Sequence, residues 1–342
     1  MAAVLGAFVA LALQIAPAVV LQPVAPLHSP AQEADARVAV LQHRLEEIAN
    51  ASAGDVGISA IDLASGRRVS VNGNRPFPMA STVKVVVAAT YLAAVDAGHR
   101  KLSDMIAVDD RLRLRADGIV FFAPHSGVAL SAANLIELML TRSDNTATDV
   151  LLATLGGPET VESWMKRNGV VGIRIDRSIA QLLVDRRGIG ISAGQTAAEA
   201  LRRWDPVTPG STGESNDDGA DLAAVAAFDK DPRDTATPQG FATFLVRLNK
   251  GDLLRPASRD WLIAAMGRCL TGTNRIKGSL PAGTIVEHKT GTFSTITDDA
   301  GLIELGGGHR IAVAVFTRGG ANRSAIIARA SRAIYDVFWT MH

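Results

Sequence analysis

This 342-residue sequence predicts an α/β fold: an antiparallel sheet built from both chain ends, flanked by terminal helices, with an all-helical domain inserted between them. Two strand-like runs stand near the beginning and three near the end, each bounded by turn residues. A block of segments with helical spacing lies between them. Strands so separated imply one shared sheet. Residues 32–78 and 271–342 then form the α/β part and residues 79–270 the helical part, including an expanded loop over 176–234.

Residues 1–27 are almost wholly apolar and run into a Pro-rich stretch over 22–31. Residues 1–31 therefore read as a signal peptide, with small-residue cleavage points at Ala10-Leu11-Ala12 or Ala16-Pro17-Ala18, or as a retained N-terminal anchor. Both readings predict export, to the periplasm or outside the cell. No cysteine stands nearby, so a lipoprotein anchor is excluded. Residues 33–51 place Val38, Leu41, Leu45 and Ile48 at helical spacing. Strand-like runs at 56–63 and 67–71 follow, joined by the hairpin turn Ala64-Ser65-Gly66. Residues 79–97 predict a long helix, apolar on most faces and therefore buried.

Further helices are expected at 131–140, 147–155 and 159–168, and an irregular stretch over 176–234. Thr237 and Pro238 fit an N-cap and first helical position, opening a helix to Leu248. Another helix spans 258–267. The chain closes with strands at 284–290, 299–305 and 310–317 and an amphipathic helix at 324–339. The turn Gly306-Gly307-Gly308 joins the last two strands.

Composition narrows the function. Lys+Arg 35 against Asp+Glu 34 leaves no basic field for nucleic acid. Cys269 is the only cysteine, which excludes an intramolecular disulfide and reads as a buried thiol in or just after the 258–267 helix. The seven histidines show no metal-ligand spacing, and no nucleotide-binding glycine pattern is present. No cofactor or metal is expected, and the chain reads as a monomer acting on a small molecule.

Three motifs carry the chemistry: Ser81-Thr82-Val83-Lys84, Ser143-Asp144-Asn145 and Lys289-Thr290-Gly291. Ser81 stands near the start of a buried helix, where free N–H groups and the helix dipole favour an oxyanion. Lys84, one helical turn on, can reach its hydroxyl. A lysine acts as a base only when its pKa falls well below about 10.4, which burial and a second cation would bring about. Lys289 is the candidate second cation. A second Ser-x-x-Lys, Ser163 to Lys166, lies mid-helix on a polar stretch and has no such surroundings.

The ordered set resembles the signature of the class A serine β-lactamases and related penicillin-recognising enzymes. The resemblance runs from Glu33 to Trp339. It extends to Phe122-Ala123-Pro124, Gly156-Gly157-Pro158, Arg233-Asp234-Thr235 and Leu280-Pro281-Ala282-Gly283. It implies a β-lactamase/transpeptidase-like fold, with Ser81 as nucleophile, Lys84 as proton acceptor and Ser143 as donor to the departing ring nitrogen. It implies further that Asn145 and Phe122 contact the substrate, that Lys289, Thr290 and Gly291 line its carboxylate site, and that the Ser81 and Thr292 N–H groups form the oxyanion hole. The family's carboxylate-binding arginine after the Lys-Thr-Gly strand is replaced by Ala300. Thr271-Gly272-Thr273-Asn274-Arg275-Ile276 resembles the alternative source and makes Arg275 the candidate.

One part of the pattern breaks. The family's deacylating glutamate follows a tripeptide matched here by Ile175-Asp176-Arg177, but Ile179 holds that position and Leu183 that of the water-holding asparagine. Residues 184–231 then insert about forty residues beyond the family's loop. The insertion reads as a mobile excursion, or as a lid supplying a replacement carboxylate from Glu199, Asp185 or Glu214. Arg177 and Asp234 are expected to pair at its neck. Three functional readings follow: a β-lactamase with non-standard deacylation, which the match favours; a penicillin-binding or D-Ala-D-Ala peptide enzyme; and a slow-turnover or non-catalytic β-lactam-binding module.

Overall fold

The computed structural model describes residues 29–114, 118–204 and 221–341. The expected signal peptide or anchor up to residue 28 and the acidic tract holding Glu214 lie outside them.

Five strands pair antiparallel in one sheet: β1 (Asp55–Asp62), β2 (Arg68–Val71), β3 (Val286–Thr292), β4 (Ile296–Gly306) and β5 (His309–Arg318), in spatial order β2-β1-β5-β4-β3. The N-terminal hairpin meets the C-terminal strands through β1 and β5, with Ile58 opposite Val315. This is the sheet from both chain ends that the sequence predicts. Its central strands are buried almost without a break because both faces are covered. Ile58, Ile303, Val313 and Val315 face the two terminal helices, α1 (Pro30–Asn50) and α11 (Arg323–Trp339). Ala300, Leu302, Ala314 and Phe316 face the helical layer.

Helix α1 buries Leu41, Leu45 and Ile48, as the spacing predicts. It begins three residues early, within the segment expected to be leader or anchor, because Ser29 and Gln32 form a reciprocal capping box ahead of Pro30. The helical layer comprises α2 (Lys84–Asp96), α3 (Ala132–Thr141), α4 (Asn145–Leu155), α5 (Pro158–Arg167), α6 (Ile179–Arg187), α7 (Ala197–Trp204), α8 (Leu222–Phe228), α9 (Pro238–Lys250) and α10 (Pro256–Gly267), with a short turn of helix at Gly118–Phe122. Thr237 caps α9 through the Gly240 N–H at 3.0 Å, with Pro238 at the first turn.

Two expectations need correction. The long helix over 79–97 divides into a 3-10 turn, Ala80–Val83, and α2, because Ala80 takes a φ of 43° that no α-helix continues. The stretch 176–234 is expected to be irregular apart from a helix-like piece at 196–204; that piece is α7, and among the described residues α6 and α8 add two further helices. Helix α6 buries Ile179, Ala180, Leu182, Val184 and Arg186 on more than one face, so it shows no single apolar stripe. A two-strand ribbon, Phe77–Pro78 with Thr235–Ala236, fastens the end of this stretch beside the Ser81 turn.

Candidate active site

The Ser81 turn lies against β3. A Cβ on Gly291 would stand 2.7 Å from the Met79 carbonyl oxygen and 3.0 Å from the Ala80 Cβ, so only glycine lets the strand approach this closely. Ser81 is half-buried there, and Lys84 is fully buried one turn along.

Two buried lysine side chains converge on one hydroxyl. Lys84 Nζ donates to Ser143 Oγ at 3.2 Å, to the Ser143 carbonyl at 2.6 Å and to Asn145 Oδ1 at 2.6 Å. Lys289 Nζ donates to the same Ser143 Oγ at 3.0 Å and to the Thr290 carbonyl at 2.9 Å. Burial brings Lys289 down to about 8. Ser143 holds a left-handed φ of 60°, and Asp144 braces it. One Asp144 oxygen caps α4 through the Ala147 N–H at 2.7 Å, while the other accepts the Ile119 N–H at 2.8 Å. The middle residue of the motif is thus structural. It also ties in the Gly118–Phe122 turn, which carries Phe122 exposed at its end. The competing Ser163 and Lys166 are both exposed on α5, far from such surroundings.

At the end of β3, the Arg275 guanidinium donates to the Gly291 carbonyl at 2.9 Å, the Asp298 carbonyl at 2.8 Å and Thr292 Oγ1 at 2.6 Å. The cation read from Thr271–Ile276 therefore sits beside Thr290 and Thr292. Ala300 lies directly across from Lys289.

The expected neck of the loop is present. Arg177 Nε meets Asp234 Oδ2 at 2.5 Å, both side chains being buried, and Asp234 Oδ1 accepts the N–H groups of Asp176 and Arg177 at 2.8 and 3.1 Å. Arg177 also contacts Asp185 at 2.7 Å and Asp231 at 3.2 Å. Hydrogen bonding from Arg233 holds Asp231 down at about 2.

Neither described candidate for a replacement base is placed for the task. Asp185 is held by Arg177, Arg233 and Gln181. Glu199 accepts the Thr196 N–H at 2.7 Å and so caps α7. Glu214 lies outside the described residues. Sequence reading missed a fourth carboxylate, Asp149, buried on α4 one turn beyond Asn145. Its oxygens accept the N–H groups of Ile179 at 2.7 Å and Ala180 at 2.9 Å. Burial raises it to about 6, against the pull of those N–H groups and the Lys84 charge. The signal was available: Asn145 and Asp149 are four apart and share a helix face.

The insertion packs onto the site rather than looping away. Phe228 of α8 meets Phe293 edge-on at 5.7 Å, and Arg186 of α6 lies over the same ring at 4.8 Å while bonding the Ser294 hydroxyl. Leu182, Phe228 and Ile296 cluster with Ala80, the residue before Ser81. The described parts of the insertion are thus packed against the Ser81 turn and the end of β3.

The sequence profile of the Beta-lactamase enzyme family matches residues 40–338. The chain is 25% identical over 307 residues to β-lactamase VEB-1 of Pseudomonas aeruginosa, covering 87% of this chain and 89% of that protein. It is 26% identical over 321 residues to β-lactamase CTX-M-8 of Citrobacter amalonaticus, covering 91% of each. An ancestral class A β-lactamase superposes with a TM-score of 0.69 at 30% identity, over 87% of this chain and 100% of that one. A β-lactamase from Chitinophaga pinensis gives 0.70 at 26% identity, over 87% and 99%. With its five-stranded antiparallel sheet, terminal helices and helical layer, this chain belongs to the class A β-lactamase family.

Proposed function

We propose that the protein hydrolyses β-lactam antibiotics of the penicillin and cephalosporin type through an acyl-enzyme on Ser81. The observation that carries this reading is the convergence of Lys84 and Lys289 on Ser143 Oγ beside the Ser81 turn. Lys84, as the neutral amine, takes the Ser81 proton and becomes an ammonium as Oγ attacks the ring carbonyl. The N–H groups of Ser81 and Thr292 receive the oxyanion. As the carbon–nitrogen bond breaks, Ser143 gives its proton to the ring nitrogen and is recharged from the neighbouring ammonium groups. Lys289, Thr290, Gly291 and Arg275 hold the carboxylate, and Asn145 and Phe122 contact the acyl side chain.

Release then requires water, and Lys84 serves again as its base. The family's glutamate position is Ile179, whose buried side chain can take no proton. Asp149 holds that residue's backbone, and its oxygens are already engaged. The same observation favours a second reading, a D-Ala-D-Ala peptide enzyme or slow-turnover module that β-lactams acylate and block. Export fits either one. Among the described residues no helix is long and apolar enough to cross a membrane.

The test is intact-mass analysis of the chain and its Ser81→Ala variant with a penicillin. An adduct in the native chain and none in the variant supports acylation at Ser81. An equal adduct in both removes it.

A further inference from the structure

Behind β3 runs a buried polar chain that the acylation chemistry does not use. Asp299 Oδ1 and His288 Nδ1 lie 2.8 Å apart with both side chains fully buried. The other Asp299 oxygen accepts the Ile276 N–H at 3.1 Å. His288 Nε2 is buried with no hydrogen-bond partner, and the imidazole acts electrostatically on the nearby thiol of Cys269. Cys269 Sγ stands 3.3 Å from Thr271 Oγ1, which stands 2.6 Å from Thr290 Oγ1. His288 and Thr290 are two apart on β3 and share the face opposite Lys289. Hydrogen bonds thus run from Cys269 through Thr271 to Thr290 of the Lys-Thr-Gly motif, with the His288–Asp299 pair buried beside the thiol.

We propose that Cys269, backed by His288 and Asp299, is a positioning residue that sets, through Thr271, the direction of the Thr290 hydroxyl and hence the strength with which the site holds a ligand carboxylate. The proposal rests on reading Thr290 as a carboxylate contact.

Each threonine hydroxyl has one hydrogen to give. When Cys269 is a thiolate, Thr271 donates to sulfur and must accept from Thr290. The Thr290 hydrogen is then spent inward, and an arriving carboxylate meets lone pairs. When Cys269 is a neutral thiol, both hydroxyls can reverse and Thr290 donates to the ligand. Burial alone would push the thiol up, but the neighbouring His288 and Lys289 outweigh it and bring Cys269 down to about 6. Burial likewise opposes charge on His288, and the Asp299 carboxylate overrides it, raising His288 to about 9. The charged groups acting on Cys269 are His288 and Lys289 of β3; Asp299 of β4 and Arg275 act in turn on Lys289. The adjoining Arg268 is paired with Glu137 at 2.7 Å. Carboxylate affinity is therefore highest below about pH 6 and falls as the thiol ionises.

The experiment uses Ser81→Ala chain, which cannot be acylated, and measures its dissociation constant for benzylpenicillin from about pH 5 to about pH 8. Losing one charge-assisted hydrogen bond corresponds to roughly tenfold weaker binding at the upper end. Adding Cys269→Ser, neutral throughout and able to donate, should hold binding tight across the range. A merely structural cysteine would shift both ends equally. An unchanged pH dependence after Cys269→Ser overturns the proposal. The thiolate absorbance of the unsubstituted chain gives a second readout that needs no ligand. A midpoint near 6 that rises in His288→Gln supports the pair, whereas a midpoint near the ordinary ~8.5 overturns it. A chain that neither binds nor is acylated by penicillin, yet titrates near 6, removes the β-lactam reading and with it the carboxylate role given to Cys269.

Discussion

The Asp149 carboxylate holds the backbone of Ile179, accepting its N–H at 2.7 Å, so a buried acid fixes the residue that we propose takes the place of the family's water-activating glutamate. The same carboxylate accepts the Ala180 N–H and thereby completes the start of α6, which Ser178 caps from the other side. It positions the loop against Lys84 and Asn145 without offering a free oxygen.

Stability should therefore depend on Asp149 in a pH-dependent way. Its folded value of about 6 lies above the unfolded ~3.9, so its contribution is fully present below about pH 4 and is lost as pH rises through 6. Against Asp149→Asn, the native chain should lose on the order of 2–3 kcal/mol of relative stability across that window. Urea unfolding of both proteins at the two ends checks this, and parallel curves would refute it.

Replacing Lys84 by alanine removes one donor to Ser143 and the proposed proton acceptor of Ser81 together. Acylation measured by quenched-flow mass analysis should slow by about 10²–10⁴-fold, with the fold retained. A loss below tenfold would assign the proton to another group.

Arg275→Ala should weaken recognition of the ligand carboxylate rather than the chemistry. The KM for a penicillin should rise roughly tenfold with kcat little changed, and the effect should shrink for its methyl ester. Equal effects on acid and ester would make Arg275 a structural tie to the Gly291 and Asp298 carbonyls.

The insertion is predicted to stabilise the site by packing. Phe228→Ala removes the ring that Phe293 and the Arg177 guanidinium contact, at 5.7 and 5.3 Å, and should cost about 3 kcal/mol in chemical denaturation. A change under about 0.5 kcal/mol would mean that α8 does not dock in solution.

Most of the architecture was legible in local pattern. The strands at both ends, the Thr237–Pro238 cap and the Leu41, Leu45, Ile48 face follow from period and capping chemistry that one segment contains. The Ser81, Ser143 and Lys289 motifs were legible as motifs, and the Arg177–Asp234 neck through the resemblance. What escaped depends on partners distant in sequence. Helix α6 takes part of its cap from Asp149, thirty residues before it, and buries Arg186 against Ser294, over a hundred residues after it. The break at Ala80 comes from β3 pressing Gly291 against the turn. Cys269 read as an ordinary buried thiol because its histidine and its aspartate arrive from two different strands.

The account stands most directly on what happens to the Ser81 adduct. Native chain mixed with a chromogenic cephalosporin should show many turnovers per molecule, with a transient one-to-one adduct on Ser81 that disappears as substrate is consumed. A one-to-one adduct that persists after a single turnover, with no further hydrolysis, would contradict release through Lys84 and make the protein an acylated binder.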